Sequence, residues 1–200
     1  MNIYLIRHGE KAGRTENIAA MELTEKGFRQ ANLLGKRLAD YGIEIIFSSD
    51  MTRAIQTSEE ANKYLGVKIE IRKQLREIDM KEVDEKGWDY VFKTYPDFKA
   101  KFEKHKEDVP YPNGECGGDV WNRAKEVLDE IVGLGLENVA IVAHAGLIRP
   151  LICGALNLPQ ARRFYFGRNI EHCSISILKY EKNNFYLHTF NDYQHLGEEI

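Results

Sequence analysis

Two histidines in this 200-residue chain each stand directly after an apolar run. Residues 2–6 lead into Arg7-His8-Gly9-Glu10, and residues 139–143 lead into His144-Ala145-Gly146. A neutral imidazole at a strand end can attack a phosphorus atom. A neighbouring guanidinium can hold two phosphate oxygens in its planar fork, and a glycine lets backbone approach the ligand. Two further segments carry suitable groups. Ser48-Ser49-Asp50-Met51-Thr52-Arg53-Ala54-Ile55-Gln56-Thr57 places Arg53 at the start of a helix, where the backbone already favours an anion. Leu75-Arg76-Glu77-Ile78-Asp79 offers a carboxyl group for proton transfer. Singly, each is a weak signal. A lone strand-end histidine is more often structural, and a lone arginine is as readily a surface ion-pair partner.

The elements that must position these groups follow from periodicity and caps. Strands are predicted over 2–6, 43–47, 67–71 and 139–143, with a closing hairpin of 174–180 and 185–190 turning at Asn183-Asn184. Residues 11–22 read as a loop. Helices are predicted over 24–41, with Thr24 as N-cap and Phe28, Ala31, Leu34 and Leu38 on one face, and over 52–65, 119–132 and 144–156. Strands alternating with helices, then a hairpin, predict an α/β three-layer sandwich with a mostly parallel central sheet. In such sheets the ligand lies beyond the carboxyl ends of the strands, where both histidines fall.

Residues 75–116 break the rhythm. The stretch carries Trp88, Phe92, Tyr95, Phe98 and Phe102, and ends in Pro110-Tyr111-Pro112-Asn113-Gly114. It reads as a helical cap, residues 78–116, inserted in a single domain of residues 1–200. The plainer alternative for each ring is packing.

Composition narrows the partners. Lys plus Arg total 28 against 31 Asp plus Glu, a net charge of −3, and the signs are interleaved, so no nucleic-acid or membrane surface is expected. No apolar run approaches the roughly 20 residues of a membrane span, and residues 1–7 meet charge too soon for a signal peptide. Cys116, Cys153 and Cys173 are too few and scattered for a disulfide framework or zinc knuckle, which fits a reducing cytoplasm.

Taken together and in order, the four segments resemble the histidine phosphatase (phosphoglycerate-mutase-like) superfamily over essentially the whole chain. The likeness is to its short broad-specificity and α-ribazole-phosphatase-like members. It rests on Arg7-His8-Gly9, the Ser-x-x-x-x-Arg-Ala-x-Gln-Thr segment around Arg53, Leu75-Arg76-Glu77 and His144. Lesser echoes are Pro112-Asn113-Gly114-Glu115, Ser174-Ile175-Ser176 and residues 191–196. The resemblance implies hydrolysis of small phosphate monoesters through phosphorylated His8. Arg7, Arg53, His144 and the backbone at Ala145 would hold phosphate, and Glu77 would be the acid and base, with no metal or other cofactor. Glu10, Asn17 and Gln56 carry no assigned role. Three departures stand out. Ala145 replaces the usual glycine, residues 81–86 intervene before Gly87-Trp88-Asp89, and Cys116 replaces a serine.

Rival readings are a cofactor-dependent phosphoglycerate mutase, a non-catalytic phospho-ligand module and a metallohydrolase. The arginine pair a mutase would carry is missing after Glu77. His8 and Arg7 are both retained, against the non-catalytic reading. No Asp/His cluster at ligand spacing accompanies the two histidines.

Overall fold

Along the first strand successive side chains enter opposite cores, as period-two geometry requires. In the computed structural model, which describes residues 1–13, 17–167 and 169–200, β1 (Asn2–Arg7) sends Ile3 and Leu5 to one face and Tyr4 and Ile6 to the other. The middle of the loop read over 11–22 lies outside the described residues. A short 3₁₀ turn, Ile18–Ala20, closes that loop.

The remaining strands are β2 (Ile45–Ser48), β3 (Lys68–Ile71), β4 (Asn138–Ala143), β5 (Ile175–Glu181) and β6 (Asn184–Asp192). Among the described residues they form one sheet in the order β3-β2-β4-β1-β5-β6. The first four strands are parallel, while β5 runs antiparallel to β1 and β6 antiparallel to β5. The expected three layers are present. α1 (Glu25–Leu38) and α2 (Thr52–Asn62) cover the face of Tyr4, Ile6, Ala140 and Val142. α6 (Gly117–Leu134) and α7 (Ala145–Ala155) cover the face of Ile3, Leu5, Val139 and Ile141.

Two local expectations are corrected. Phe28 is 38% exposed rather than part of the buried face of α1. The buried face of this first turn runs through Gly27, which packs on the Glu10 carbonyl, and Phe28 lies about 100° round the helix from it. The hairpin turns at Lys182-Asn183, both with positive φ (50° and 62°), so Asn184 already belongs to β6.

Between β3 and α6 the chain forms α3 (Glu82–Lys86), α4 (Trp88–Thr94) and α5 (Pro96–Phe102). Their rings mostly pack on one another. Trp88 touches Phe92, Phe102 and Tyr111, and Phe98 stacks on Phe102 at 5.3 Å. A 3₁₀ turn, Gln160–Tyr165, follows α7 and places Phe164 against Phe102.

Candidate active site

Strand register explains why the two histidines meet. Arg7 pairs with Ala143 across β1 and β4, so the residues that follow, His8 and His144, emerge side by side. Their ring centroids are 5.0 Å apart, and the His8 amide still bonds the Ala143 carbonyl at 2.9 Å. β2 pairs Ser48 with Val142, which brings Ser49 beside them: its hydroxyl lies 2.9 Å from His144 Nε2.

The tautomer of His8 follows from its neighbours. Arg53 Nε lies 3.1 Å from His8 Nε2, and a guanidinium can only donate, so Nε2 is the acceptor and carries no proton. Nδ1 then holds the proton and donates it to the Gly9 carbonyl at 2.7 Å. Burial holds the imidazole well below the usual histidine range, and His144, Arg53 and Arg7 push it the same way. His144 is lowered for the same first reason, burial, and then by Arg53. Its Nδ1 is buried without a partner among the described residues.

Arg53, in the first turn of α2, is buried and held by the Ile18 carbonyl at 2.9 Å. Arg7 donates to the Ile170 carbonyl. Both arginines, with His8 and Glu77, line a cavity of about 620 Å³ whose far wall includes Ile78, Met80 and Asp84. Asn17 also reaches this wall. Gln56 and Glu10 do not: Gln56 accepts from the Leu23 amide at 2.8 Å, and Glu10 accepts from the Thr24 hydroxyl at 2.9 Å. Thr57 accepts from the Gly9 amide at 3.0 Å, so the Gln-Thr pair after Arg53 fixes the loop that follows β1.

Glu77 sits opposite His8's arginines. Its Oε1 accepts from the Ile78 amide at 2.9 Å, and the Gly146 amide also donates to the carboxylate. The Gly146 amide therefore serves the Glu77 carboxylate. Burial raises the Glu77 carboxyl above the usual glutamate range, outweighing those amides and the pull of Arg53 and Arg7. Gly146 is required here, because a Cβ would stand 2.3 Å from Oε1.

Neither Ala145, which opens α7 and packs against the core, nor the fully buried His144 is among the residues that line this cavity. The interruption noted in the sequence, residues 81–86, is Lys81 followed by α3, and it brings Lys81, Asp84 and Glu85 to the cavity wall.

Three features escaped the sequence reading. His172 stands 5.6 Å from His8, ring to ring, because β5 pairs antiparallel with β1 and the Cys173 amide bonds the Arg7 carbonyl at 2.8 Å. Burial first, then Arg7, pulls its imidazole down to about 3. The second feature is a clamp behind Glu77. Arg123 donates to the Glu77 carbonyl at 3.2 Å and to Glu115 at 2.8 Å, while Glu115 accepts from the Asp79 amide at 2.9 Å. The third is the contact of Gly146 with Glu77, legible only once the two are seen together.

A family model described as the histidine phosphatase superfamily (branch 1) matches residues 3–193. The chain belongs to the histidine phosphatase superfamily. Within that family, phosphoserine phosphatase 1 of Hydrogenobacter thermophilus is 26% identical over 208 residues, spanning 99% of this chain and 95% of that relative. A probable phosphoglycerate mutase, GpmB of Erwinia tasmaniensis, is 29% identical over 210 residues, spanning 99% and 96%. The solved structure of Bacillus stearothermophilus YhfR superposes with a TM-score of 0.83 at 26% identity, covering 98% of both chains. Relatives of this histidine phosphatase superfamily member thus carry both phosphatase and phosphoglycerate mutase names. No helix among its described residues is long and apolar enough to cross a membrane.

Proposed function

We propose that the protein hydrolyses small phosphate monoesters through a phosphohistidine on His8. The observation that carries this reading is the unprotonated Nε2 of His8, held by Gly9 and Arg53 beside Arg7 and across a shared cavity from Glu77. Nε2 attacks phosphorus while the P–O bond to the leaving group breaks, and protonated Glu77 gives its proton to the departing oxygen. Ionised Glu77 then takes a proton from water as that water attacks phosphorus, the N–P bond breaks, and inorganic phosphate leaves.

Positioning and charge neutralisation dominate such a transfer. Arg7 and Arg53 supply fixed positive charge. In this reading the Ser49 hydroxyl, which accepts from the Met51 amide at 3.3 Å, donates to His144 Nε2, and Nδ1 of His144 carries the proton that a phosphate oxygen beside His8 accepts. Bound phosphate offsets both arginines, removing their pull on Glu77 and raising its pKa further, as its acid role needs. Residues 78–116 act as the cap, through Ile78, Met80, Asp84 and Glu85 rather than through the aromatic stripe. Neither Ala145 nor a metal ion has a part in these steps.

Phosphatase is favoured over mutase by the wall that follows Glu77: Asp79, Lys81, Asp84 and Glu85 stand there, with no arginine pair. Phosphate release from a panel of monoesters, measured beside interconversion of 2- and 3-phosphoglycerate, tests the choice. Release should exceed interconversion by a wide margin. Efficient interconversion would overturn it.

A further inference from the structure

His8 is flanked by imidazoles on both sides of its strand. In the sheet, β1 lies between β4 and β5. His144 follows β4 on one side, and His172 stands just before β5 on the other. Their ring centroids lie 5.0 and 5.6 Å from that of His8, at interplanar angles of 58° and 49°. Between them His8 is left only 2% exposed. His144 has a place in the proposed transfer through Nδ1, whereas His172 has none.

Backbone bonds fix where the His172 ring stands. Before it, the Glu171 amide donates to Asn191 Oδ1 at 2.7 Å, which ties the turn to β6. After it, the Cys173 amide donates to the Arg7 carbonyl at 2.8 Å, which ties the turn to β1. Cys173 has a φ of 54°, and the Ser174 amide closes the turn on the Glu171 carbonyl at 3.2 Å. A side-chain-bearing residue in the left-handed region is costly and persists where its surroundings over-determine it. The ring nitrogens explain less. Nε2 of His172 is buried without a partner among the described residues. Burial, then Arg7, Lys11 and Lys26, keep this imidazole neutral. Its contribution is the bulk of a neutral ring against His8. The charged and titratable groups around His8 itself are Arg7 on its own strand, Arg53 from α2, His144 after β4 and Glu77 across the cavity. Water in place of the His172 ring would solvate a protonated His8, the form that cannot attack.

We propose that His172 is a positioning residue for the nucleophile: its ring closes the β5 side of His8, keeping water out and Nε2 turned toward the phosphoryl group. The catalytic consequence of that contact rests on the hydrolytic reading above, while the contact itself does not.

The test follows His8 directly, by NMR of full-length protein carrying labelled histidine, with the His8 signal assigned by its absence in His8→Ala. In His172→Ala the His8 ring should take up its proton about one pH unit or more higher than in the unmodified protein, because water then reaches it. His172→Phe supplies a ring with no nitrogen to satisfy and should hold the titration where it was. The acid limb of kcat/KM for p-nitrophenyl phosphate should move to higher pH with the NMR titration in His172→Ala. Its plateau should fall about tenfold or more as Nε2 loses its aim. Comparing variants on one substrate cancels the substrate's own ionisation. A ring that only stabilises the fold would lower the unfolding temperature and leave the His8 titration unmoved, and that result would overturn the proposal. Equal displacement by alanine and phenylalanine would also overturn it, since bulk would then not be what acts. Should His172→Ala fail to fold, His172→Asn, smaller and hydrated, decides by the same comparison. If the NMR titration moves while the kinetic limb stays, the positioning of His8 is retained and the hydrolytic reading, which needs neutral His8, falls.

Discussion

Replacing Gly146 with alanine should disable the general acid while leaving the phosphate site intact. A Cβ at that position would stand 2.3 Å from Glu77 Oε1 and 2.4 Å from Ile78 Cγ2, whereas ordinary contact begins at 3.4 Å. The carboxylate must therefore retreat by 3.4 − 2.3 = 1.1 Å. Oε1 is the end of a side chain, while Ile78 Cγ2, a branch on Cβ, moves only with its χ1 or the backbone, so the fold yields at a cost of about 1–3 kcal/mol of stability. A displacement of about 1 Å at a reacting group costs on the order of 10²-fold in rate. The assay is kcat/KM, which reports the phosphorylation step, with glycerol 3-phosphate and with p-nitrophenyl phosphate. The alkyl ester needs its leaving oxygen protonated and should lose about 10²-fold. The nitrophenolate leaves unaided, so the second substrate should lose far less, which also shows that the protein is folded. Wild-type kcat/KM for glycerol 3-phosphate in Gly146→Ala would refute the placement of Glu77 as the acid.

Three further outcomes follow from the same geometry. Glu77→Gln should cost about 10²–10⁴-fold with alkyl phosphates and let phosphoenzyme accumulate on p-nitrophenyl phosphate. Asp79→Asn should do neither, and the reverse pattern would reassign the acid. For kcat/KM with an alkyl ester, neutral His8 is required, so activity falls as pH drops through a pKa that burial holds well below the usual histidine range. Protonated Glu77 is required, so activity falls as pH rises through a pKa that burial lifts above the usual glutamate range. The alkaline limb should vanish in Glu77→Gln, and an unchanged limb would contradict the assignment. Activity should survive excess chelator, because Arg7 and Arg53 supply the positive charge that the transfer needs. Loss on chelation, restored by a divalent ion, would contradict that reading.

Much of the site was legible because its groups follow strands whose apolar runs are unmistakable. His8 ends β1, His144 ends β4, and Arg53 opens the helix after β2, so parallel pairing alone brings them to one rim. Glu77 follows β3 by the same logic. What was not legible depends on contacts that no local pattern encodes. His172 reaches His8 only through the antiparallel pairing of β5 with β1. Arg123 and Glu115 brace Glu77 from two elements, and each alone reads as an ordinary surface ion-pair partner. Phe28 fitted the helical period of α1 yet is exposed, because the buried face at that turn runs through Gly27. For the aromatic stripe the packing alternative fits, since its rings chiefly meet one another.

The central claim is a covalent bond between His8 Nε2 and phosphorus. It is tested most directly by quenching the protein in alkali during turnover of p-nitrophenyl phosphate and locating bound phosphate by mass spectrometry. The account predicts one acid-labile, alkali-stable phosphoryl group on the peptide containing His8, at Nε2, with labelling and turnover both lost in His8→Ala. Full turnover by His8→Ala, or phosphate found on another residue with His8 unmodified, would contradict it.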